Sequence, residues 1–183
     1  MKDNGVQIEE VKKLVGAVSQ NREMGKVRFH ANSKWGGGTK TNVSINSLFA
    51  GGQNVAGPNR NFELVVSEPP PLGGADEGAN PVEYILAGLC GCITAGMTTN
   101  GALFGVEFDS IEMSIDFLQD VAGVFGLDDT VSNGGQEIKM TINASSKSDH
   151  AQVQKVKDII MNKSPVKITM EEGIKITTEL NIV

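Results

Sequence analysis

Hydrophobic positions along this chain change period several times, and each change marks an element. Ile8, Val11, Val15 and Val18 recur at steps of three and four, which places them on one face of a helix. Val27, Phe29 and Ala31 then alternate with charged and polar residues up to the break at Trp35-Gly36-Gly37-Gly38, and Val43 and Ile45 alternate after it. That pattern predicts a strand, a glycine turn and a second strand. A loop rich in Gly, Asn and Pro from Gly51 to Asn59 leads to Phe62, Leu64 and Val66, a third strand. Pro69, Pro70 and Pro71 must end it, because proline cannot donate to a sheet ladder. Three antiparallel strands are expected to open the main domain.

The second half begins with a helix start at Asn80-Pro81. Asn80 suits the N-cap, Pro81 the first turn, and Glu83 the positive end of the dipole. The apolar run that follows is read as one long helix ending near Asn100-Gly101 or Gly105. Its glycines and alanines lower intrinsic helicity but let another backbone approach closely, which predicts a central, packed helix. Ile111, Met113, Ile115 and Phe117 alternate, a glycine-containing acidic loop follows, and Ile138, Met140 and Ile142 alternate again: two more strands. A helix starting at Ser148 carries Val153, Val156 and Ile160; Ser164-Pro165 is a second cap-and-proline start. A final strand is predicted through Ile174, Ile176, Thr178 and Leu180. Strands and helices are segregated, not alternating, so the class is α+β with antiparallel sheets. Residues 1–24 are read as an accessory helix and 25–183 as one domain.

Composition narrows the function. The net charge of −6 argues against a nucleic-acid partner, which needs a basic face. The run from Tyr84 to Val106 is long enough to span a bilayer, but five glycines, several threonines and an asparagine favour a buried helix over a membrane span. The N-terminus, Met1-Lys-Asp-Asn-Gly, has no apolar run behind it, so a cytoplasmic location is expected.

Chemistry reduces to two cysteines, both in Leu86-Ala-Gly-Leu-Cys-Gly-Cys-Ile-Thr-Ala-Gly96. Two are too few for a disulfide framework. Helical residues two apart point roughly 160° away from each other, so Cys90 and Cys92 cannot pair while the helix persists. His30 and His150 share no metal-ligand spacing with them, so no metal is expected. Gly36-Gly37-Gly38-Thr39-Lys40-Thr41 lacks phosphate-loop spacing and leads into a strand. No Gly-x-Ser-x-Gly elbow or triad pattern is present. Asp128-Asp129 and Glu171-Glu172 read as solvated surface. What is left is one helical thiol, with Cys92 on the face of Ile85, Leu89 and Gly96 and Cys90 on that of Glu83, Leu86, Ile93 and Met97.

Glu68-Pro69-Pro70-Pro71-Leu72-Gly73-Gly74, then Asn80-Pro81-Val82-Glu83-Tyr84-Ile85-Leu86-Ala87, then a cysteine eleven residues after Pro81 resemble the OsmC/Ohr family of osmotically inducible and organic-hydroperoxide-resistance proteins. The resemblance extends from about Val27 to Val183. It implies an intertwined homodimer whose strands wrap around central helices, with an active site at each subunit junction. It also implies a cysteine peroxidase that needs no cofactor. A thiolate attacks a hydroperoxide, becomes a sulfenic acid, and is restored through a second cysteine and a thiol reductant. Cys92 matches the attacking thiol, and Cys90 has no catalytic counterpart. Three positions depart from the pattern. Ser164 stands where the resolving cysteine belongs, and a hydroxyl forms no disulfide. The turn Trp35-Gly36-Gly37-Gly38 lacks the family's arginine, leaving Lys34 or Lys40 as substitutes without its bidentate fork. Val82 occupies the place of the arginine's orienting acid, with Glu83 shifted by one residue, about 100° around the helix.

The leading expectation is therefore a single-cysteine hydroperoxide reductase in oxidative-stress defence, recycled by an external thiol. The alternative is a dimer without catalysis that binds a small apolar ligand at its interface. A third reading makes both cysteines packing residues alone. Neither nucleic acid nor membrane is an expected partner.

Overall fold

The computed structural model describes residues 2–182. It divides into two units, one formed by Gln7–Ile85 and one by the residues before Gln7 together with those from Leu86 on. In the first unit, helix α1 (Ile8–Gln20) carries Glu9 and Glu10 in its first turn, where the dipole favours acids. None of its residues is fully buried. Strands β1 (Val27–Trp35) and β2 (Thr41–Ala50) form the expected hairpin, paired from Val27 with Ala50 to Trp35 with Thr41. Between them Gly37 and Gly38 adopt φ of +97° and +55°, which only glycine enters freely. The Trp35 indole N–H donates to the Gly38 carbonyl at 2.9 Å and closes the turn. The other edge of β2 pairs with the two-residue β3 (Gln53–Asn54) and with β4 (Phe62–Val66), so β2 is central. The proline run ends β4 and makes a short turn of 3₁₀ helix, Pro70–Leu72.

Helix α2 (Pro81–Phe104) starts in the first unit and continues into the second. It stops where Gly105 takes φ +71°, and the Val106 N–H donates back to the Gly101 carbonyl at 2.8 Å. One stripe of it, Leu89, Ile93, Met97 and Gly101, is buried. The opposite stripe, Gly88, Gly91 and Ala95, is exposed. The expectation of a buried helix therefore holds for one face within this chain.

The second unit builds its core from that stripe, from Val106 and Phe108, and from Val156 and Ile160. Val106 and Phe108 lead into and open β5 (Phe108–Leu118). That strand pairs with β6 (Glu137–Ser146), and the alternating Ile111, Met113, Ile115, Met140 and Ile142 pack one sheet face on the core. The connecting loop holds a single short turn, α3 (Val121–Val124), capped by the Asp120 carboxylate on the Ala122 N–H. Helix α4 (His150–Lys163) supplies Val156 and Ile160. It starts two residues later than expected, because the Ser148 hydroxyl accepts from the Glu107 N–H instead of capping the helix. Helix α5 (Pro165–Glu172) follows directly. Near the N-terminus, the Asn4 side chain donates to the Thr98 and Val106 carbonyls and accepts from the Phe108 N–H, tying that segment to the exit of α2.

One expected element is absent. Residues 174–182 form no strand, and Ile174, Ile176, Leu180 and Ile182 are 73 to 90% exposed. Alternation signals a half-buried ribbon but does not name the surface that buries it. Among the described residues, no strand of this chain pairs with the segment.

Candidate functional site

Helical geometry sets the two thiols apart. Cys90 and Cys92 are both free and half-buried, and they flank the buried stripe of α2 on opposite sides. Cys90 lies outside the buried core cluster. On the Cys92 flank, Gly96 is one turn further along α2, and a Cβ there would overlap the Ile160 side chain. The missing side chain lets α4 press against α2. Four residues after Ile160 comes Ser164, which joins α4 to α5. Its hydroxyl oxygen lies 3.1 Å from the Cys92 sulfur.

Ser164 is wholly buried, so each of its polar atoms needs a partner. Its N–H donates to the Ile160 carbonyl at 2.8 Å and ends α4. Its carbonyl accepts from the Ile168 N–H at 3.0 Å, and its hydroxyl oxygen accepts from the Lys167 N–H at 3.3 Å. The serine is thus the N-cap of α5, with Pro165 in the first turn, as the sequence predicted. The hydroxyl proton remains. Leaving a buried donor unmade costs about 1–3 kcal/mol, and the Cys92 sulfur is the acceptor within reach. While Cys92 is a thiol either atom can donate in this contact; once it is a thiolate, only the Ser164 hydroxyl can. This contact spans 72 residues of sequence.

The other candidates have other engagements. Glu83 and Asn80 form a reciprocal capping box. The Asn80 N–H donates to the Glu83 carboxylate at 2.7 Å, and the Glu83 N–H donates to the Asn80 side-chain oxygen at 2.9 Å. Glu83 is nine residues before Cys92 on the same helix, about 13 Å along its axis. Lys40 forms an ion pair with Glu77 at 2.8 Å, and Lys34 is exposed on β1. His30 contacts Asn32 at 3.2 Å on the surface, and His150 is exposed at the start of α4. Among the described residues no cluster of His, Cys, Asp or Glu could hold a metal ion.

A cavity of about 520 Å³ lies in the same unit. Leu89, Phe117, Ile138, Met140, Met161 and Met170 give it an apolar lining, and Lys167, paired with Glu171 at 2.6 Å, adds a charged edge. Leu89 is one turn before Cys92, and Met161 and Lys167 stand three residues on either side of Ser164, but neither Cys92 nor Ser164 lines the cavity. Sequence reasoning missed it. Met161 follows the apolar stripe of α4 and Met140 lies in the alternation of β6, but nothing local says that these residues meet.

Residues 74–179 match the family model described as OsmC-like protein, more than half of the chain. Among curated proteins, none matches the chain by sequence. Several solved structures share the fold. A putative osmotic stress induced and detoxification response protein from Psychrobacter arcticus 273-4 superposes with a TM-score of 0.57 at 12% identity, over 76% of this chain and 85% of that one. The OsmC like protein from Mycoplasma pneumoniae gives 0.55 at 13% identity, over 81% and 89%. An organic hydroperoxide resistance protein OsmC from Legionella pneumophila gives 0.52 at 12% identity, over 78% and 88%.

Proposed function

This chain belongs to the OsmC-like family, and on that premise we propose that it reduces organic hydroperoxides with Cys92 as its single attacking thiol. The observation that carries the proposal is the contact of the Cys92 sulfur with the buried Ser164 hydroxyl at 3.1 Å. It favours Cys92 over Cys90 as the reacting thiol, because it puts a hydroxyl within hydrogen-bond distance of that sulfur. In the reaction the thiolate attacks the terminal peroxide oxygen, the O–O bond breaks, and the alcohol leaves with the proton. Cys92 is left as a sulfenate, which takes a proton from water to become the sulfenic acid. Ser164 has no sulfur with which to condense, so an external thiol attacks the sulfenic sulfur and water departs. A second external thiol then releases Cys92 from the mixed disulfide. Hydroperoxide-resistance names among proteins of the same fold support the substrate class.

A homodimer in the cytoplasm, serving oxidative-stress defence, completes the proposal. Two observations support the dimer: the exposed Gly88, Gly91 and Ala95 stripe of an otherwise apolar helix, and the exposed alternating apolar residues of 174–182. A second copy offers both a helix for close approach and a sheet edge.

The test is consumption of cumene hydroperoxide in the presence of a dithiol, followed for the wild type, Cys92→Ser and Cys90→Ser. Consumption should vanish with Cys92→Ser and change little with Cys90→Ser. Intact consumption by Cys92→Ser would overturn the mechanism. The apolar cavity favours a second reading, in which the dimer binds a small lipid-like or aromatic molecule without catalysis. That reading predicts a co-purifying ligand by mass analysis and a Cys92 thiol inert toward peroxide.

A further inference from the structure

Three methionines from three elements, Met140 of β6, Met161 of α4 and Met170 of α5, converge on the cavity of about 520 Å³. Each is half-buried and packs against the core, so their side chains are held at the cavity wall and not dispersed on the surface. Leucine or isoleucine would fill such a wall with better-defined rotamers. Thioethers bring two further properties: they adapt to ligands of different shape, and their sulfur accepts oxygen from peroxides.

We infer that Met140, Met161 and Met170 form a sulfoxidation site that an apolar hydroperoxide reaches by entering this cavity. The inference rests on the hydroperoxide reading for the identity of the oxidant, but it does not need the thiol. A methionine sulfur lone pair attacks the terminal oxygen of the hydroperoxide, and the O–O bond breaks. The hydroperoxide's proton passes to the leaving alkoxide, giving one sulfoxide and one alcohol. Sulfur is oxidised by two electrons and the peroxide is reduced by two. The product carries a polar S–O group on a wall otherwise made of Leu89, Phe117 and Ile138. Each oxidation therefore weakens the cavity's affinity for the next apolar peroxide, and a methionine sulfoxide reductase reverses it. A chain that cannot store its oxidised cysteine as an internal disulfide gains from this a reversible brake on the same substrate.

Two other methionines serve as internal references. Met24 is 41% exposed and lies in the other unit, and Met97 is 1% exposed in the core. The protein is treated with limiting hydrogen peroxide or with limiting cumene hydroperoxide, and sulfoxide is measured at each methionine by peptide mass spectrometry. Hydrogen peroxide should oxidise by exposure, with Met24 first and Met97 last. Cumene hydroperoxide should raise the ratio of cavity sulfoxide to Met24 sulfoxide by about tenfold, the preference that burying two methylene groups would supply. The same rise is expected in Cys92→Ser. An unchanged ratio between the two oxidants in Cys92→Ser overturns the inference. A raised ratio in a wild type that fails to consume peroxide through Cys92 leaves this site standing and removes the peroxidase reading instead.

Discussion

Replacing Ser164 by cysteine should convert the single-cysteine site into one that closes a disulfide. The serine oxygen is 3.1 Å from the Cys92 sulfur, and a longer C–S bond in place of C–O carries the new sulfur toward the roughly 2.05 Å that the bond requires. The cross-link would tie residues 72 apart in sequence. Loop-closure entropy for that length amounts to about 4 kcal/mol, which in a chain of this size corresponds to a rise of roughly 10 °C in melting temperature. The cost to subtract is the N-cap of α5: the Lys167 N–H loses its oxygen acceptor, about 1 kcal/mol. A stabilisation of about 4 kcal/mol should therefore appear in the oxidised variant relative to its reduced form, and about 3 kcal/mol relative to the wild type. Ser164→Cys would be treated with one equivalent of cumene hydroperoxide, mapped by non-reducing peptide mass spectrometry, and melted with and without reductant. Expected are one cross-linked peptide pair, a higher melting temperature only when oxidised, and loss of the trappable sulfenic acid. Two thiols that both remain alkylatable after oxidation, with no melting difference, would refute the geometry.

Other perturbations test the supports of the site. Gly96→Ala inserts a Cβ against Ile160; overpacking of about 1–3 kcal/mol should outweigh the helix-propensity gain of about 1 kcal/mol, and chemical denaturation should give a less stable protein that also consumes peroxide more slowly. Asn80→Ala removes one side of the capping box at the start of α2 and should cost about 1 kcal/mol by denaturation while leaving Cys92 chemistry intact. Ile176→Lys replaces a side chain 81% exposed in the single chain, so stability of an isolated subunit should not change; in a dimer that buries it, about 1.5–3 kcal/mol is lost, and light scattering across a dilution series should show dissociation at concentrations at least tenfold higher than for the wild type.

Elements with a strong internal period were legible in the sequence. Val27, Phe29 and Ala31, Phe62 to Val66, and Ile111 to Phe117 with Ile138 to Ile142 all alternate, and all are strands. Asn80-Pro81 and Ser164-Pro165 marked helix starts because capping is a local matter of a few atoms. Ser148 misled for the same reason: its hydroxyl had a partner 41 residues away, the Glu107 N–H, that no local pattern reveals. The strand expected at 174–180 shows the limit from the other side. Its alternation is real, but among the described residues no strand pairs with it. Cys92 and Ser164 became linked in the sequence only through a family pattern, since nothing in their spacing says that they touch. The methionine-lined cavity had no signal at all, because β6, α4 and α5 bring its walls together only in three dimensions.

The central claim is that Cys92 is a peroxide-reducing nucleophile whose oxidised form waits for an external thiol. The most direct measurement exposes the reduced wild-type protein to one equivalent of cumene hydroperoxide with dimedone present, followed by mass mapping of both cysteine positions. One dimedone adduct per subunit is expected on Cys92, with one equivalent of cumyl alcohol and an unmodified Cys90. An unlabelled Cys92 with the hydroperoxide left intact would contradict it.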